Sequence, residues 1–99
     1  MTELSMPQDD STLAAKFTVQ PNDMHKVELG RYREAGPEPQ FRIYYGKHEP
    51  HVVTHHKNKL SDGDIYILFI QFQNFGDKPC SITIRRVAPD LRLQPPFVT

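Results

Sequence analysis

The sequence predicts an all-β domain, a small antiparallel β-sandwich, immunoglobulin-like, of about six or seven strands. Three observations carry this prediction. Residues 65–72 are β-branched or aromatic at Ile65, Tyr66, Ile67, Phe69, Ile70 and Phe72, side chains that lose rotamer freedom in a helix and pack well on a pleated sheet. Residues 80–87 alternate, with Cys80, Ile82 and Ile84 on one face and Ser81, Thr83 and Arg85 on the other, which is the period of a half-buried strand. Short apolar runs along the rest of the chain are punctuated by Gly, Pro, Asn and Asp, the spacing expected of strands joined by turns.

The elements follow in order. Residues 1–11 are polar, with Pro7 and the Asp9-Asp10 pair, and read as a flexible N-terminal arm. Residues 13–20 place Leu13, Ala15, Phe17 and Val19 on one face of a first strand. Thr12 could also cap a short helix, but such a helix would run into β-branched Thr18 and Val19. Pro21-Asn22-Asp23 is a turn. Residues 25–33 form a second strand broken at Gly30, and residues 34–39 a Gly- and Pro-containing loop. Residues 41–45 form a third strand with Phe41, Ile43 and Tyr45 on one face. A turn over 46–50 leads to a short fourth strand at 51–55, and 57–64 reads as a polar turn. The long apolar strand from Ile65 is then expected to fold back as a hairpin on 80–87 through Asn74-Phe75-Gly76-Asp77-Lys78-Pro79, with Gly76 supplying a positive φ. The sandwich domain spans residues 12–88. Residues 89–99 contain Pro89, Pro95 and Pro96 and form an extended C-terminal tail. The Cys…Trp…Cys core of antibody domains is absent.

Composition bounds the function. Ninety-nine residues make one domain, and 37% apolar content without a single Trp makes its core thin. Formal net charge is zero, whereas nucleic-acid and anionic-membrane binders usually carry a basic excess. No nucleic acid or membrane is therefore expected as a partner. Zero charge also leaves little self-repulsion, which favours a homo-oligomer. A single cysteine, Cys80, permits no intrachain disulfide. No basic-then-apolar leader and no apolar run of about 20 residues is present, and Asn22, Asn58 and Asn74 lack the glycosylation context. A reducing, cytoplasmic location is the expectation.

Four of the five histidines lie within nine residues, His48, His51, His55 and His56, with Glu49 among them. Imidazole is the commonest metal ligand, so these four are the candidate metal or pH-responsive set, with zinc the cofactor they would suit. Spacing argues against it. In a strand, His51 and His55 share a face but lie ~13 Å apart, while one zinc needs donors within ~3–4 Å of each other. The set converges only if the segment is a loop or if two chains meet there. No cofactor is otherwise implied.

Catalytic patterns are missing. Cys80 begins a strand on its apolar face rather than beside a cation or a helix N-terminus. Asp62-Gly63-Asp64 lacks the repeated acids and closing Glu of a calcium loop. No G-x-S-x-G, P-loop or C-x-x-C occurs. The chain reads as a non-enzymatic binding or assembly module acting through a sheet edge or face, with a protein partner or a second copy. Arg42, Tyr44 and Arg85 are its candidate interface patch, because Arg and Tyr are enriched at interface hot spots. The alternatives are the histidine-based metal or pH response and a small-ligand site, such as one for carbohydrate, built on exposed tyrosines.

Overall fold

The structure is a computed structural model and describes residues 11–46 and 53–93. Of the N-terminal arm expected over residues 1–11, all but Ser11 lies outside the described residues, as does the expected tail beyond residue 93; Ser11 is buried and accepts from Arg85 through its hydroxyl and carbonyl. The described residues form six strands: β1 (Thr12–Val19), β2 (Met24–Arg33), β3 (Phe41–Tyr45), β4 (Val53–Asp62), β5 (Ile65–Asn74) and β6 (Cys80–Arg86). They form two three-stranded antiparallel sheets, β1-β6-β3 and β2-β5-β4.

The inner faces of both sheets supply one core. β5 contributes Tyr66, Leu68, Ile70 and Phe72, β6 contributes Cys80, Ile82 and Ile84, and Val19, Leu29, Tyr32 and Val53 complete it. The period-2 alternation read from the sequence sets which residues of β5 and β6 face inward. Side chains meet across the layers, as where the Phe17 and Phe72 rings lie 5.4 Å apart edge to face.

Two expectations are corrected. β5 and β6 do not form a hairpin: they lie in different sheets, and residues 75–79 cross between them. Gly76 is not in the left-handed region; its N–H is held instead by the Asn74 carboxamide oxygen at 2.8 Å. The crossing runs beside the β1-to-β2 connection, where Asn22 adopts φ 61°, a conformation Asn tolerates. Asn22 N–H donates to the Asn74 carbonyl at 2.9 Å, and Asn74 N–H donates to the Asp23 carbonyl at 3.1 Å. The strand pair β1-β2 thus changes sheets together with its antiparallel companions β6-β5 at a single corner. This order does not establish the immunoglobulin-like connectivity, in which the last two strands share a sheet.

The second correction concerns residues 57–62, expected as part of a polar turn. They continue β4, whose register with β5 is unbroken from Val53–Asn74 to Asp62–Ile65. The true hairpin is β4-β5, and Gly63-Asp64 is its two-residue loop. Gly63 takes φ 65° while Asp64 stays out of that region, the pattern of a type II′ reversal, whose twist matches the flanking strands.

β2 carries a bulge between Glu28 and Arg31, where Gly30 adopts φ 115°. The bulge frees the Leu29 carbonyl, which accepts from Tyr32 Oη at 2.7 Å and from Arg86 Nη2 at 2.8 Å. Beyond β6 the chain returns along β2, and Leu93 N–H donates to the Arg31 carbonyl at 2.9 Å.

Candidate functional site

Antiparallel sheets of three strands have two edges each, and the described structure treats its four edges differently. β2 is distorted by its bulge and partly covered by the returning chain. β1 is interrupted by a register shift between Leu13 and Ala15. β3 has only five residues. β4 has ten residues in continuous register, and its second edge carries no backbone partner among the described residues.

β3 and β4 flank the same side of the molecule, and there the two layers part. A cleft of about 300 Å³ opens there between β4, β5 and the loop before β3, lined by Glu38, Pro39, Lys57, Lys59, Tyr66 and Leu68. The reason is local. On β4, the residues paired with the buried positions of β5 are Val53, His55, Lys57, Lys59 and Ser61. Only Val53 is buried. An inward-facing lysine keeps its ammonium wet by holding the layers apart at that edge. Lys59 Nζ lies 4.3 Å from the centre of the Tyr66 ring and 3.9 Å from Glu38. Lys57 has no ion-pair partner among the described residues. Burial pushes the Tyr66 phenol above its ordinary value, and Glu38 adds to the effect.

Towards the other end of the opening, Tyr45 bridges the layers. Its hydroxyl lies 2.8 Å from His55 Nδ1. Burial raises the Tyr45 phenol, with Cys80 adding to the effect, so the hydroxyl stays protonated and donates when the imidazole carries its own proton on Nε2. The His55 ring also packs 5.8 Å from that of Phe72.

The residues singled out from the sequence fall as follows. Arg42 and Arg85 are register partners on β3 and β6, and Tyr44 pairs with Thr83 one step along the same outer face. The structure therefore brings Arg42, Tyr44 and Arg85 together. Tyr44 is exposed, whereas Arg85 is engaged, its Nε and Nη2 donating to the Ser11 hydroxyl and carbonyl at 2.8 Å each. Of the four histidines, His55 faces inward against Tyr45 and Phe72 and His56 pairs with Gln71 on the outer face, so the two point to opposite faces of β4. His48 and His51 lie outside the described residues. Among the described residues no three side chains are grouped to hold a metal. The fifth histidine, His25, stacks on Phe17 at 4.1 Å.

Sequence reasoning missed the cleft lysines. Lys57 and Lys59 sit in a stretch without apolar alternation, and only the β4-β5 pairing shows that both face inward. Two signals were available: the spacing of two residues, and the Asp-Gly-Asp loop that closes a hairpin just after them. Among the described residues no helix is long and apolar enough to cross a membrane. No protein-family model, no curated protein and no solved structure matches this chain.

Proposed function

We propose that this chain is a non-enzymatic module for protein binding or assembly that works through a sheet edge, with β4 as the edge in use. One observation carries the reading: β4 is the long, regular edge, while the other three are bulged, covered or short. An exposed row of unpaired N–H and C=O groups is a template for another strand, and strand addition gains its affinity from main-chain hydrogen bonds. A second copy of the chain is one partner such an edge accepts, consistent with its zero net charge. The free, buried thiol of Cys80 suits a reducing compartment such as the cytoplasm.

Selection of displayed random peptides on the full chain tests the reading. Enriched sequences should be strand-competent, alternating and free of Pro. Adjacent N–H groups in a strand point to opposite sides, so of Leu60→Pro and Ser61→Pro one disrupts the β4-β5 ladder and the other blocks the outer edge while keeping both lysines. The variant that keeps its melting temperature should lose the peptides. If no strand-competent sequence is enriched and the chain stays monomeric by light scattering at every concentration, the edge reading falls.

A further inference from the structure

The chemistry beside β4 restricts what can be added to it. A strand laid on this edge would place alternate side chains inward, next to Lys57 and Lys59 and over Tyr66 and Leu68. The two lysines are two residues apart, about 7 Å along the strand. A strand with apolar inward residues would strip water from both ammoniums and return nothing, one with neutral amides would return less than a charge-assisted bond, and a basic one would add repulsion. Resting on the strand-addition reading above, we propose that the β4 edge takes an extended segment of a partner protein with carboxylates at positions i and i+2, seated against Lys57 and Lys59.

Three observations support this occupant. On β4 itself charge is complementary, because its inward face between His55 and Ser61 carries two lysines and no acid, the nearby carboxylates being Glu34, which accepts from the Ser61 hydroxyl, and Glu38. Spacing agrees, since successive inward residues of an added strand have the same repeat as Lys57 and Lys59. The third is Glu38. Its carboxylate stands near Lys59 from the loop before β3, at 3.9 Å and with its side chain 66% exposed. A pair so long and so wet is weak, so Glu38 acts as a placeholder that an incoming carboxylate displaces. On the outer face, Leu60 is 58% exposed and pairs with Ile67; it extends the apolar row of Ile65, Ile67 and Phe69 to the edge. The segment should therefore alternate acidic residues inward with apolar residues outward.

The probe is a labelled synthetic peptide, Thr-Val-Glu-Val-Glu-Val-Thr with both ends blocked, together with its Gln and Lys counterparts. Binding to the full chain is read by fluorescence anisotropy at low and high salt. The Glu peptide should bind about tenfold tighter than the Gln peptide, and the gap should narrow with salt. Lys57→Glu combined with Lys59→Glu should reverse the preference in favour of the Lys peptide. Glu38→Gln should strengthen the Glu peptide by up to about fivefold and leave the Gln peptide unchanged. These positions are exposed, so folding should survive, and an unchanged melting temperature confirms it.

Equal binding of the Glu and Gln peptides, both lost in the edge-blocking proline variant, overturns the acidic specificity and leaves the edge reading standing. Failure of all three peptides also overturns the proposal, and the library selection then judges the edge reading independently. Heparin binding through Lys57 and Lys59 as tightly as the Glu peptide would assign the lysines to a polyanion surface and would overturn it too.

Discussion

Arg86 is a charged side chain in a place its type avoids. It continues the inward series Cys80, Ile82, Ile84 and is 5% exposed. Burying a guanidinium is tolerated only with partners. The Leu29 carbonyl accepts from Nη2 at 2.8 Å, and the Phe41 ring lies 5.4 Å from the guanidinium carbon. Its Nε makes no hydrogen bond but lies 3.7 Å from the Asp90 carboxylate. Hydrogen bonding from the Arg92 guanidinium holds the Asp90 carboxyl down at about 2, from an ordinary 3.8, with the Arg92 and Arg86 charges adding to the effect. A carboxyl lowered in the folded state contributes stability that is present above the ordinary value and lost as pH falls through the folded one. Asp90→Asn should therefore destabilise the chain at pH 7 by about 1–2 kcal/mol, a figure discounted for the half-wet setting of the carboxylate. It should also flatten the loss of stability between about pH 4 and 2. Urea titrations at pH 7 and along that acid limb provide the measurement, and an unchanged limb would refute the assignment. Asn74 makes a related point. The sequence marks it as a turn former, and it is one, but it is also fully buried, donating to the Val19 and Lys78 carbonyls at 3.0 and 2.8 Å. Turn chemistry was legible in the residue type; the partner 55 positions away was not.

The bulge of β2 ties the element scale to the rest of the fold. Gly30 was expected to break the strand; β2 instead runs through it as a bulge, with Gly30 at φ 115°, a conformation that L side chains rarely take. The returning chain then presses on it. A Cβ at Gly30 would meet Cγ and Cδ of Arg92 at 2.9 Å. Gly30→Ala thus incurs a backbone cost and a steric cost, together about 1–3 kcal/mol. Adding Arg92→Ala should recover the steric share and leave the backbone share, so a double-mutant cycle by thermal or urea unfolding should show coupling between the two positions. Strictly additive losses would mean that Arg92 does not rest on the bulge. β4 is the contrasting element. Its residues 57–59 are polar and lack alternation, so the stretch resembles a turn in isolation. It is a strand because β5 supplies a complete ladder and a two-residue loop leads directly into it. Its inner face is polar because it borders an open cleft instead of the core.

At the scale of the whole molecule, one thin core holds two small sheets, and β5 and β6 run through the middle of each. Cys80 begins β6 at 3% exposure and has no redox or metal partner among the described residues. Its thiol should react with a disulfide reagent only through opening of the core, at a rate that rises with urea in step with loss of the folded state. Fast labelling in native buffer would show that this end of the core opens independently. Amide exchange should follow the same order, slowest in β5 and β6 and fastest among the β4 amides that point away from β5.

The sequence by itself determined the all-β class, the positions of most strands, and the inward faces of β5 and β6. These follow from local rules: β-branched residues favour strands, alternate residues share a face, and Gly, Asn and Pro mark reversals. Only the tertiary structure decided which strands pair, that β5 and β6 belong to different layers, that Arg86 is buried, and that Lys57 and Lys59 line an opening beside an edge with no backbone partner among the described residues. Alternation specifies the face a residue takes and says nothing of its neighbour in space. Pairings such as Thr12 with Arg86 join residues far apart in the chain, and they are selected by the packing of both sheets around a shared core.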